Sequence, residues 1–256
     1  MKKITFIITL AYLFLFLNDL QSQPLREQRY FLDFMSIGAR INTNGWGINY
    51  RRGYYVNRYY RYFYEAEFTS MKDPRSIKFS NPYFITPENI YFGKINSCFD
   101  IRFGYGRQHI IVEKQDQGSL EIRLITVVGG TIGFMKPVYY HVIDQTGSYT
   151  YYTKFTQDLL LQQILEMAPF YRGLEEMKFN PGGFAKIGIS FEHSKNRNGL
   201  SALELGTSLT AYLLPMKMIY GERGNNILWN LYIDYRFGKF FPTSTRRKEK
   251  LKKQEL

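Results

Sequence analysis

The chain has 256 residues, a formal net charge of +12 and a mean hydropathy of −0.32. Its one cysteine, Cys98, excludes a disulfide framework within the chain. No segment beyond the amino terminus offers the ~18 consecutive apolar residues of a spanning helix. The 22 tyrosines and 21 phenylalanines favour strands, where aromatic side chains suit a pleated and half-exposed surface.

In chain order, Lys2 and Lys3 precede a mostly apolar run from Ile4 to Leu17 and then "NDLQSQ". That is the layout of a secretory signal over residues 1–22, with cleavage expected after Ser22. The mature part, 23–241, is expected to be one β-domain. In "SIGARIN", Ile37, Ala39 and Ile41 alternate with Gly38, Arg40 and Asn42; after "TNG", Trp46, Ile48 and Tyr50 alternate with Gly47, Asn49 and Arg51. The two runs predict a hairpin. Next, Tyr60, Tyr62, Tyr64, Ala66 and Phe68 alternate with Arg61, Phe63, Glu65 and Glu67. Strands follow in "IYFGKINSCFDIRF", carrying Asp100 and Arg102, in "QHIIVEK" after a tight "GYGR" (104–107), and in "LEIRLITVVGG", carrying Glu121 and Arg123. The remaining candidates are "FAKIGISFEH" with Lys186 and Glu192, "SALELGTSLTAYLL" with Glu204, and "NILWNLYIDYRFGKF". In the last, Trp229, Tyr235 and Phe237 oppose Asp234 and Arg236.

Alternation does not say which face is inside. A soluble sandwich would bury the apolar face and leave the charges in water. Three features favour the reverse. Glycines recur on the charged face, at Gly38, Gly47, Gly188, Gly206 and Gly238, where a crowded lumen needs room. Both charge signs sit two residues apart, as at Asp100/Arg102, Glu121/Arg123 and Asp234/Arg236. Several strands reach the ~9–11 residues that cross a bilayer at a tilt. The reading is therefore a closed antiparallel transmembrane β-barrel, because an open edge would leave unpaired amides in hydrocarbon. Its lumen-facing charges are Arg40, Arg51, Glu65, Glu67, Asp100, Arg102, Glu121, Arg123, Lys186, Glu192, Glu204, Asp234 and Arg236. Its interfacial aromatics are Trp46, Tyr50, Tyr60, Tyr62, Tyr64, Trp229, Tyr235 and Phe237.

Nine strands break the even-number rule for bacterial single-chain barrels. Adding "PVYYHVI" (137–143) gives ten, the preferred count, with "GYGR" and "SKNRNG" at periplasmic turns; merging two candidates gives eight. Between 144 and 181, "TQDLLLQQILEM" reads as a loop helix over about 156–177, with Thr156 as N-cap and Leu160, Ile164, Met167, Tyr171 and Leu174 on one stripe. Such a stripe covers the barrel mouth or docks a protein partner. Near the carboxyl end, Phe237, Phe240 and Phe241 are candidates for the signal that barrel-assembly machinery reads. Residues 242–256 form a basic tail, read as disordered or loosely helical and as a second place for a partner.

Motifs for chemistry are sparse. In "GISFEH", Ser190 and Glu192 share a face that His193 does not, so the three cannot act as a local triad. No nucleophile elbow, zinc-protease helix, phosphate loop or metal-ligand spacing occurs, and neither a metal nor a cofactor is expected. "RFGYGRQHIIV" lacks the pattern of an RNA-stacking strand, so nucleic acid is not expected either; outer-membrane lipid is the expected contact.

"YFGKINSCFDIRFGYGRQ" (91–108), "MKPVYYHVI" (135–143) and "APFYRGLEEMKFNPGGFAKIGISFEH" (168–193) resemble segments of a family of outer-membrane barrel proteins from Bacteroidota. The resemblance runs from about Ile37 to Lys239. It implies location and fold, hints at envelope upkeep, and assigns no functional residue. Three functions are then open. The first is a side-chain-filled barrel acting as a structural or accessory part of an envelope assembly. The second is a narrow pore made anion-preferring by Arg40, Arg51, Arg102, Arg123, Lys186 and Arg236. The third is a lipid-modifying enzyme.

Overall fold

The computed structural model describes residues 32–57, 59–76, 78–80, 89–113, 119–144, 147–193, 199–221 and 223–243. The expected signal segment, 1–22, and the tail beyond Thr243 lie outside the described residues. The strands are β1 (Leu32–Asn42), β2 (Gly45–Tyr55), β3 (Tyr60–Met71), β4 (Lys78–Ser80), β5 (Asn89–Tyr91), β6 (Asn96–Val112), β7 (Glu121–Pro137), β8 (Tyr139–Ile143), β9 (Thr150–Lys154), β10 (Ile164–Met167), β11 (Lys178–Glu192), β12 (Gly199–Met216) and β13 (Asn225–Pro242). Eight of them close into an antiparallel barrel in the order β1-β13-β12-β11-β7-β6-β3-β2. The closing seam pairs Leu32 with Pro242 and Asn42 with Tyr232. The lower end of the barrel holds the chain's two described termini and the strand ends Tyr55, Tyr60, Val112, Glu121, Glu192 and Gly199. The upper end carries 43–44 and the described residues of 72–95, 138–177 and 217–224.

The count is eight, not ten, for two reasons. The "GYGR" stretch is no turn: β6 runs unbroken through it, merging two expected strands. Its glycines make room. A Cβ at Gly104 would stand 2.7 Å from Val127 and 2.9 Å from Phe184, and one at Gly106 would stand 2.3 Å from the Phe63 ring. Residues 137–143 do form a strand, β8, but it pairs with β9 and β10 in a separate three-stranded sheet above the barrel. The expected loop helix over 156–177 is also absent. A single 3-10 turn at Leu161–Gln163 gives way to β10, whose residues pair with β8. Tertiary burial overrides the helical spacing: Leu159 and Ile164 pack with Ile90, Val138, Tyr140 and Val142 in the core of this cap.

Inside the barrel the residues lie in layers. The lower end holds Phe34, Phe63, Ile125, Val127, Phe184, Leu200 and Ala202, with Phe240 packed against them. The upper end holds Met71, Cys98, Met135, Tyr212, Met216 and Met218. Most of the buried charges lie between these clusters, and Asp33, Arg61, Glu121, Arg123 and Glu192 lie at the lower strand ends. The β12–β13 connection crosses the upper mouth to the opposite wall: Ile95 donates its backbone N–H to Met218 O at 2.9 Å, and Tyr220 donates to Gly93 O at 2.8 Å. The Asn96 side chain donates to Lys217 O at 2.8 Å and holds the same crossing.

Candidate functional site

Period 2 dictates the site. Each barrel strand sends alternate side chains inward, and the inward set carries the charges. Neighbours on β1 show the contrast: Arg40 is 1% exposed and Ile41 is 70% exposed. All thirteen charged residues expected in the lumen are buried, and the ladder puts opposite charges side by side. Arg40 stands across from Asp234, Arg51 across from Glu65, and Arg102 across from Glu67. Such facing pairs are the sheet's natural unit of electrostatic support.

From these placements a lattice grows across the lumen. Arg40 donates to Glu67 at 2.7 Å and to Asp234 at 3.1 Å. Arg51 bonds Glu65, and reaches Glu204 with two nitrogens at 2.7 and 3.1 Å. Lys186, from the far wall, bonds Glu65 and lies 2.6 Å from Glu67. Arg102 ties Asp100 at 2.8 Å to Glu67 at 3.4 Å, while Arg236 bonds Asp234 and approaches Glu204 at 3.4 Å. Lower down, Arg123 holds Glu121 at 2.7 Å and Glu192 at 2.5 Å. Tyr232 donates to Glu204 at 2.8 Å, and Tyr212 donates to Asp100 at 2.6 Å. The arginine planes also rest on rings, Arg40 on Tyr232 at 4.2 Å and Arg51 on Phe63 at 4.5 Å.

Charge balance follows. The buried cations are Arg40, Arg51, Arg61, Arg102, Arg123, Lys136, Lys186 and Arg236. The buried anions are Asp33, Glu65, Glu67, Asp100, Glu121, Glu192, Glu204 and Asp234. Eight face eight among the described residues, which is how a low-dielectric interior holds so many ions. The six cations considered for an anion path each hold a carboxylate. Arg61, Lys136 and Asp33 were not among the expected lumen charges. Strand phase finds Arg61, on the same face as Glu65; Asp33 and Lys136 sit at strand ends, where phase alone is a weak guide.

The outward aromatics form two rows. Toward the upper end Trp46 meets Phe68 edge-on at 6.3 Å, Phe68 stacks with Phe99 at 6.1 Å, and Phe99 meets Phe170 of the cap at 6.0 Å. Toward the lower end Tyr60 stacks on His109 at 4.7 Å, Tyr62 on Tyr105 at 5.4 Å, and Tyr64 meets Tyr54 at 6.1 Å. Arg107 covers Tyr60 at 3.7 Å, and Tyr235 meets Phe237 at 4.6 Å. Tyr50 and Trp229 are exposed on the outer face. Of the three aromatics considered for an assembly signal, Phe237 points outward and Phe241 lies under Arg52 at 4.3 Å. Phe240 turns inward and packs edge-on against Phe34 at 6.3 Å.

Ser190 and Glu192 point into the barrel, as their shared phase requires. His193 instead meets Ser201: its Nε2 lies 3.5 Å from Ser201 Oγ, which lies 2.9 Å from Tyr235 OH. No carboxylate among the described residues bonds this imidazole, and no group of three or more His, Cys, Asp or Glu side chains among them could hold a metal ion. On the cap, Tyr139 OH donates to Glu176 at 2.7 Å and Lys154 bonds the same carboxylate. The Lys154 bond, then the Tyr139 bond, holds the Glu176 carboxyl below the usual carboxylate range.

No protein-family model and no curated protein sequence matches the chain. Among solved structures of similar shape is Neisserial surface protein A, at 9% identity and a TM-score of 0.38, covering 80% of this chain and 95% of its own. Another is Ail, the attachment invasion locus protein of Yersinia pestis, solved with the heparin analogue sucrose octasulfate. It shows 10% identity and a TM-score of 0.41, covering 82% of this chain and 99% of its own. The same outer membrane protein in a phospholipid bilayer nanodisc gives 13% identity and a TM-score of 0.32, covering 81% of this chain and 99% of its own.

Proposed function

We propose that this chain is an integral outer-membrane β-barrel that conducts no solute and catalyses no reaction, serving as a structural or accessory component of the envelope. One observation carries the reading: the apolar side chains point out of a closed barrel while its charges are buried and neutralised within. In water that arrangement would expose Ile37, Ile41, Val128, Trp229 and Phe237; in a bilayer the same face is satisfied. Its span agrees. From Ile227 to Phe237 the outward face of β13 has only apolar and aromatic residues. Ten residue steps at ~3.3 Å and ~40° of tilt give about 25 Å, the height of the apolar band of such barrels. The aromatic rows would lie at the two headgroup levels, and barrel-assembly machinery would insert the chain. The resemblance of residues 91–108, 135–143 and 168–193 to a Bacteroidota outer-membrane family supports the same compartment.

Eight-stranded interiors are just filled by side chains, and in this barrel apolar clusters and paired charges together fill the interior. As an accessory component the protein would meet a partner through residues 156–177 or through the tail, 242–256. Purified protein in planar bilayers should give no reproducible current steps, and anion-selective steps would overturn the reading. Mild-detergent co-purification of a stoichiometric protein would identify the assembly.

A further inference from the structure

The two apolar clusters of the lumen differ in kind. The lower one is built from Phe, Ile, Val, Leu and Ala side chains and holds no sulfur. In the upper one, Met71, Cys98, Met135, Met216 and Met218 carry sulfur and only Tyr212 does not. Half of the chain's eight methionines and its one cysteine thus meet in one place. Methionine does fill irregular gaps in cores, but gap-filling alone does not select one end of a barrel.

The ladder puts three of the sulfurs in one row. Met71 of β3 stands across from Cys98 of β6, and Cys98 stands across from Met135 of β7. All three side chains are buried inside the barrel. Directly opposed residues on one face have Cβ atoms about 4.5–5.5 Å apart, so the flexible thioethers of Met71 and Met135 can both reach an atom bound to Cys98 Sγ. Tyr212 OH lies 3.7 Å from Met71 Sδ, but it donates to Asp100 at 2.6 Å and leaves that thioether available. Met216 Sδ, by contrast, accepts from Asn180 Nδ2 at 3.3 Å.

Ligand softness and charge select the ion. Thiolate and thioether ligands together favour Cu(I). When a metal–sulfur bond forms at Cys98, the thiol proton leaves to water. One monovalent ion and one thiolate then add no net charge to an interior where eight buried cations face eight anions; a divalent ion would leave a charge uncompensated. We propose that Met71, Cys98 and Met135 bind one soft monovalent metal ion, Cu(I), with no change in its oxidation state. The way in is the upper mouth, where Met216 and Met218 line a cavity of about 330 Å³. Lys72, Lys217 and Arg223 around that cavity repel a divalent ion more strongly than a monovalent one. The site rests on the barrel interior alone and holds whether or not the lumen conducts.

The test uses the full-length folded barrel in detergent, without oxygen, and Cu(I) supplied as its bicinchoninate complex. Transfer of a single Cu(I) to each barrel is expected, with release of a single proton, and Zn(II) should not compete. X-ray absorption of the loaded barrel should show sulfur alone around the metal. Affinity should fall at least tenfold in Cys98→Ser and in Met71→Leu/Met135→Leu. It should fall less than twofold in Met35→Leu, whose thioether lies beside Arg52 and outside the cluster. Exchanging Met for Leu conserves volume and keeps the barrel folded, which heat-modifiable mobility verifies for each variant. Absence of transfer overturns the proposal, as does a metal surrounded by nitrogen or oxygen, the mark of adventitious surface binding. So does a Cys98→Ser barrel that binds Cu(I) as tightly as the parent.

Discussion

Removing the Arg51 guanidinium tests the charge lattice at its centre. Arg51 bonds Glu65, makes two contacts to Glu204 at 2.7 and 3.1 Å, and rests on Phe63 at 4.5 Å. Arg51→Met keeps much of the side-chain volume but leaves the buried set one charge negative, with two carboxylates short of a cation. Breaking a buried pair in this way costs about 3–5 kcal/mol, mainly because the stranded charge stays desolvated. At about 2–4 °C per kcal/mol for a chain of this size, the midpoint of unfolding should fall by about 6–20 °C. Arg51→Met/Glu204→Gln restores neutrality and should recover much of the loss. The assay is the temperature at which heat-modifiable mobility is lost after reconstitution into zwitterionic vesicles. A single variant within ~1 kcal/mol of the parent, or a double variant less stable than the single, would refute the lattice.

Three further outcomes follow. A Cβ at Gly53 would stand 1.9 Å from the Phe34 ring, so Gly53→Ala should cost about 1–3 kcal/mol by overpacking. A Cβ at Gly183 would have its nearest neighbour atom 3.6 Å away, so Gly183→Ala should be close to neutral in the same unfolding assay. On the outer face, Leu231→Arg should destabilise the barrel by about 2–4 kcal/mol, and Phe237→Arg, nearer the lower row, by clearly less; equal costs would contradict a midplane Leu231 and an interfacial Phe237. On the cap, the Glu176 carboxyl is held low by Lys154 and Tyr139. Its contribution is present above the unfolded carboxylate value of about 4.3 and is lost as pH falls through the lower folded value. Amide exchange of β8 and β9 should rise, relative to Glu176→Gln, on going from pH 6 to pH 3; identical profiles for the two proteins would contradict this.

Much of the barrel is legible in the sequence because one period governs it. The alternation of Arg40 with Ile41, or of Asp234 with Ile233, fixes both faces once closure is assumed. Glycines on the inner face signal crowding, but Gly104 and Gly106 suggest a turn that does not form. Two glycines within three residues look alike whether they bend the chain or clear space for Phe63 on the adjacent strand and Phe184 two strands away, and only the partner strands distinguish the cases. Residues 156–167 mislead for another reason. Leu160, Ile164 and Met167 keep a helical spacing, yet the unpaired edge of β8 and the Tyr140–Ile90 core reward an extended segment.

The central claim concerns which face meets lipid, and a fluorescent probe reads it directly. In a Cys98→Ala background, single cysteines at Leu205, Leu231 and Ile233 would carry a bimane label in phosphatidylcholine vesicles. Brominated acyl chains should quench all three labels strongly, and iodide in the water should leave them untouched. Quenching by iodide, with indifference to the brominated lipid, would show those side chains facing water and contradict the account.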